Sequence, residues 1–126
     1  MVIRSLEGDL PMEFSVRVDH GAAHVVLSAT GEVDLATAAR FRDAGLAALG
    51  IEPTVFVIDL SDVTFMDSTG LGVLVLLRRK SRARRTDLRL VSGRRTDALL
   101  KLSGLSSVFE IYPDLASALD EFDDIA

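Results

Sequence analysis

The chain has 126 residues, 48% of them hydrophobic and 26% charged, which suits one folded domain and excludes a disordered polymer. It contains no cysteine, so disulfides and thiolate metal sites are excluded. Its formal net charge of -5 argues against general nucleic-acid binding.

Residues 1 to about 12 read as an irregular lead-in to a single domain over residues 13–126. Phe14, Val16 and Val18 alternate with Ser15 and Arg17, the period of a strand with one buried face. Asp19-His20-Gly21 reads as a turn, and His24 to Ala29 as a second strand that pairs with the first as a hairpin. Thr30-Gly31-Glu32 is expected to end that strand. Asp34 is placed to cap a helix running to about Leu49, with Leu35, Ala38, Phe41, Gly45 and Ala48 as its buried stripe. Gly50 ends it. Val55-Phe56-Val57-Ile58 reads as a strand buried on both faces, followed by a loop over Ser61 to Asp67. The spacing predicts a helix from about Thr69 to Arg82, a short strand at Leu88 to Val91, and a helix from about Arg95 to Leu102. An edge strand at Phe109 to Tyr112 follows, and then a last helix with Leu115, Ala118, Leu119 and Phe122 on one stripe. This order predicts an α/β fold: a mixed β-sheet, with an N-terminal hairpin and parallel strands, packed with about four α-helices.

Nothing near the N-terminus reads as a secretory signal, since Arg4, Glu7 and Asp9 interrupt it. The longest apolar stretch, Leu71 to Leu77, is far too short to span a bilayer, so a soluble protein is expected. Charge is unevenly spread. Arg78, Arg79, Lys80, Arg82, Arg84, Arg85, Arg89, Arg94 and Arg95 crowd one region, and Asp114, Asp120, Glu121, Asp123 and Asp124 crowd the end. These read as solvated helix faces or as a docking surface. No aromatic interleaves the basic cluster, which disfavours a single-strand platform.

The informative stretch is Asp59-Leu60-Ser61 and then Phe65-Met66-Asp67-Ser68-Thr69-Gly70-Leu71-Gly72. It joins a buried strand to an apolar helix through polar residues. Ser68 sits at the expected N-cap, where its hydroxyl either caps the helix or accepts a modification. Asp67, Ser68 and Thr69 offer three small polar side chains where one cap suffices. Gly70 and Gly72 are expected to leave the helix start open to a kinase. A phosphate on Ser68 is expected to meet free amide hydrogens and the positive end of the helix dipole.

This segment resembles the signature of the STAS domain family, specifically its single-domain bacterial anti-sigma factor antagonists. Gly31-Glu32-Val33-Asp34 resembles the family's Gly-Glu-Leu-Asp element, and Gly104-Leu105 a later Gly-Leu pattern. The resemblance implies a cytoplasmic, non-enzymatic regulator without a cofactor. It implies that the unphosphorylated form binds an anti-sigma factor that is also a serine kinase, and thereby frees a sigma factor. The kinase uses ATP to phosphorylate Ser68, the complex dissociates, and a phosphatase resets the cycle. The family's acceptor follows the aspartate, which favours Ser68 over Thr69. Asp67, Thr69, Gly70 and Leu71 then form the switch loop, with Glu32 and Asp34 on the partner-facing rim.

Other readings are weaker. An esterase elbow needs glycine where Met66 stands, and His20 and His24 lie at the opening turn. Those histidines share a face only on a helix, so a metal site is not expected. No phosphate-loop sequence is present. A STAS-type interaction module of another complex, in lipid transport or another signalling assembly, is the alternative within the same fold.

Overall fold

The computed structural model describes residues 13–125, with side chains described through Asp120; the expected lead-in over residues 1–12 and the place of Phe122 in the last helical stripe lie outside this range. Five strands form one sheet in the order β1-β2-β3-β4-β5. They are β1 (Ser15–His20), β2 (His24–Val33), β3 (Val55–Met66), β4 (Asp87–Ser92) and β5 (Glu110–Tyr112). The helices are α1 (Ala38–Gly50), α2 (Ser68–Ala83), α3 (Arg94–Leu102) and α4 (Leu115–Ile125). β1 and β2 pair antiparallel, whereas β2, β3, β4 and β5 are mutually parallel. The mixed sheet expected from the element order is therefore present.

The side-chain period of two divides the core into two layers. Val25, Leu27, Phe56, Ile58, Leu60 and Leu90 face a cluster with Phe41, Leu49, Leu74, Leu77 and Leu100 from α1, α2 and α3. Val26, Val55, Val57 and Val91 face Ala118, Leu115 and Leu119 of α4. A Cβ on Gly45 would come within 2.6 Å of Leu77 Cδ1, so glycine lets α1 and α2 approach closely.

Two expected boundaries are corrected. β2 does not stop at Ala29; it continues to Val33. The expected loop from Ser61 is strand as far as Met66. The paired register skips between Ser28 and Thr30 and again between Gly31 and Glu32, each time with an extra residue on β3. These bulges replace the alternation of Phe56, Ile58 and Leu60 by a spacing of three in the buried Leu60, Val63 and Met66. Gly31 carries the positive φ of 93° that this irregular pairing requires. The third correction concerns α1, which starts at Ala38. Leu35 lies ahead of it and is 80% exposed rather than part of the buried stripe.

Candidate functional site

The parallel pairing of β2 with β3 sets the end of the sheet that carries the signature residues. Glu32 is opposite Phe65 and Val33 opposite Met66. The Asp67 amide donates to the Val33 carbonyl at 3.2 Å, which fixes the turn from β3 into α2 against the end of β2. Glu32, Asp34, Leu35, Phe65 and Ser68 thereby come to one rim of the sheet.

Asp67, not Ser68, caps α2. Its backbone is extended, and its Oδ1 accepts the amide of Thr69 at 2.9 Å and that of Gly70 at 3.3 Å. The Thr69 hydroxyl also donates to Asp67 Oδ1. That hydroxyl is the main cause holding the Asp67 carboxyl below the usual aspartate range; partial desolvation opposes it, and the Gly70 and Thr69 amides add to the lowering. An aspartate beats a serine for the cap because its charge-assisted bonds at the positive helix end are stronger.

Ser68 is thus the first residue of the helix. It is exposed, and its hydroxyl makes no hydrogen bond to any other described residue. Thr69 differs: it is half-buried and committed to Asp67. The amide hydrogens expected to greet a phosphate at Thr69 and Gly70 already serve Asp67.

Gly70 does not open the helix start. It is buried, and a Cβ there would lie 2.6 Å from Met66 Cγ and 2.9 Å from Val33 Cγ1, so glycine lets α2 seat on the strand ends. Gly72 is the open one, with nothing within 4 Å of a Cβ. Leu71 is half-buried and packs on the core. Asp34 spends its carboxylate locally: Oδ1 accepts from the Ala36 amide at 3.0 Å and the Thr37 amide at 3.2 Å, capping the turn ahead of α1. The Thr37 hydroxyl donates to the Glu32 carbonyl at 2.8 Å, which holds that turn on the end of β2.

Sequence reasoning missed two rim residues. Leu35 was assigned to a buried stripe, and Phe65, 48% exposed, to a polar loop. Their signal was an apolar side chain beside the signature segment, masked for Leu35 by its helical spacing to Ala38. His20 and His24 lie on β1 and β2 at the hairpin turn, at the other end of the sheet from Ser68. No group of three or more metal-ligating side chains occurs among the described residues, and no described helix is long and apolar enough to cross a membrane.

The family model for the STAS domain matches residues 13–118. The anti-sigma-B factor antagonist of Listeria monocytogenes is 34% identical over 102 residues, covering 79% of this chain and 90% of that protein. The anti-sigma-F factor antagonist RsfB of Mycobacterium tuberculosis is 36% identical over 101 residues, covering 80% of this chain and 82% of the relative. A crystal structure of an anti-sigma factor antagonist from Mycobacterium paratuberculosis superposes with a TM-score of 0.81 at 33% identity, over 86% of this chain and 93% of that one. The family match spans all five strands, α1 to α3, the rim and the start of α4, and the chain belongs to the STAS domain family.

Proposed function

We propose that this chain is an anti-sigma factor antagonist, a cytoplasmic binding regulator rather than an enzyme, switched by phosphorylation at Ser68. The observation that carries the reading is the division of labour at the start of α2. Asp67 takes the cap and ties down Thr69, which leaves the Ser68 hydroxyl exposed and uncommitted. The relatives named as anti-sigma factor antagonists supply the partner class. The partner is an anti-sigma factor with serine kinase activity, and a phosphatase restores the hydroxyl.

The unphosphorylated rim binds through Leu35 and Phe65 around Ser68, with Glu32 beside them. Asp34 shapes the rim from behind. Phosphorylation adds about -1.5 to -2 charges next to Asp67. Asp67 already uses the Thr69 and Gly70 amides, which leaves little beyond the Ser68 amide itself to compensate the new charge. Desolvating such a charge in an interface costs several kcal/mol. At about 1.4 kcal/mol per tenfold, the affinity falls by about a hundredfold or more with no refolding.

The test uses the cognate kinase, ATP and mass spectrometry. Phosphate is expected on Ser68 and not on Thr69. Ser68→Ala stays bound to the partner in the presence of ATP, and Ser68→Asp binds weakly. Equal affinity of these two variants for the partner contradicts the mechanism.

A further inference from the structure

The end of α2 remote from Ser68 carries an unassigned feature. Six of the eight residues from 78 to 85 are cationic in a chain whose net charge is -5. Elsewhere four cations pair with nearby acids, Arg17 with Asp19, Arg42 with Asp43, Arg89 with Asp87 and Lys101 with Asp97, while Arg40 lies over the Phe14 ring and Arg95 donates to the Thr64 carbonyl. No ion pair among the described residues uses Arg78, Arg79, Lys80, Arg82, Arg84 or Arg85. Arg84 is held by the Leu49 carbonyl at 2.9 Å, and Arg79, Lys80, Arg82 and Arg85 are exposed. A helix C-terminus favours one or two cations; it does not call for six.

Arg78 and Arg82, one helical turn apart, form one wall of a groove. Its floor and far wall include Leu88, Val108 and Phe109. Asp87 and Glu110 lie on the strand side; Asp87 is taken by Arg89 at 2.8 Å. The groove is therefore lined by two cations from the helix, two acids from the strands, and the apolar Leu88, Val108 and Phe109, and the further cations of the helix end adjoin it.

We infer that this groove and the adjoining helix end dock a short acidic peptide segment of a partner protein, one that carries apolar residues among its carboxylates. Its carboxylates lie along the helix wall and its apolar side chains on Leu88 and Val108. Length decides against the other polyanions. The helical part of the basic run, residues 78 to 83, covers about 9 Å of helix axis, with Arg84 and Arg85 just past its end, a length that a few extended residues match. A nucleic-acid duplex or a bilayer headgroup plane extends past it onto a body of net negative charge. Arg78 and Arg82 lie about 15 Å and about 21 Å along the helix axis from Ser68, so both sites are free to be occupied at once.

Fluorescence anisotropy of the full chain with a fluorescein-labelled peptide of glutamate, aspartate and leucine tests this. Saturable binding that weakens with added salt is expected. The double variant Arg78→Glu, Arg82→Glu binds about tenfold more weakly or worse. Arg78→Gln with Arg82→Gln gives a smaller loss in the same direction and is the variant to use if charge reversal disturbs folding. Ser68→Asp binds the peptide like the unaltered chain, which separates this site from the phosphorylation rim. Undiminished binding by both arginine double variants, equal binding of a glutamine-and-leucine peptide, tighter binding of duplex DNA or phosphatidylglycerol vesicles, or loss of binding in Ser68→Asp each overturns the proposal.

Discussion

Alanine at Gly70 and at Gly72 offers a paired perturbation in which one physical contribution cancels. Both glycines lie in the first two turns of α2, and alanine in a helix is favoured over glycine by about 0.5–1 kcal/mol. At Gly72 the new Cβ meets nothing within 4 Å, so Gly72→Ala is expected to stabilise by that amount. At Gly70 the same gain meets a clash. The Cβ would lie 2.6 Å from Met66 Cγ and 2.9 Å from Val33 Cγ1. Met66 has a flexible side chain and can yield. Val33 is β-branched, stiff, and wholly buried, so the helix start must move away from β2. Such overpacking costs about 1–3 kcal/mol. Gly70→Ala is therefore expected to lie about 1–3 kcal/mol below Gly72→Ala in stability. With a urea slope of about 1–3 kcal/mol/M for a domain of this size, the two unfolding midpoints should differ by about 1 M. A Gly70→Ala midpoint equal to or above that of Gly72→Ala refutes the argument that glycine is needed there to seat α2 on the strand ends.

Three further outcomes follow from the site. The folded-state pKa of Asp67 is lowered, chiefly by the Thr69 hydroxyl, so its contribution is fully present above the ordinary aspartate value of about 4 and is lost as pH falls through the lower folded value. The stability gap between the unaltered chain and Asp67→Ala, measured by urea unfolding across acid pH, should close in that window; a gap that widens there contradicts the cap. Ser68→Ala should change stability by less than about 0.5 kcal/mol, because Ser68 caps nothing, and calorimetric unfolding that shows a loss of a full N-cap's worth would reverse the assignment. Leu35→Ser and Phe65→Ser should each weaken partner binding by about tenfold in titration calorimetry while leaving the unfolding midpoint unmoved; unchanged affinity in both removes these side chains from the interface.

The fold was legible wherever burial imposed a clean period. Val55 to Ile58, the α1 stripe of Phe41, Gly45 and Ala48, and the alternation of Phe14, Val16 and Val18 each announced their element. The errors cluster where β2 and β3 continue past their regular pairing. Two bulges on β3 turn the period of two into a spacing of three at Leu60, Val63 and Met66, and an exposed Ser61-Asp62 pair interrupts it, so a strand read as a loop. Leu35 was misplaced for a related reason. Its spacing to Ala38 is helical, but the Asp34 and Thr37 side chains build a turn that delays the helix. The candidate site stands out in the sequence because Asp67-Ser68-Thr69 is a short polar run between two apolar elements. Which of them caps does not, since serine and aspartate are both good caps and only the extended backbone at Asp67 decides between them.

That decision bears on how such a switch can work at all. Had Ser68 been the cap, its hydroxyl would have been engaged with the helix amides, and phosphorylation would have exchanged one set of amide bonds for another. The charge would then have been partly absorbed by the helix. With Asp67 as the cap, the amides at Thr69 and Gly70 are satisfied before and after modification. The helix does not need the serine as its cap, and in the proposed switch the added charge acts chiefly on whatever covers the rim. The same bond that holds Thr69 to Asp67 removes the competing hydroxyl. On the proposed reading, in which the partner covers the exposed Leu35 and Phe65, an unshielded phosphate in that interface is costly, and the fold beneath it has no reason to change.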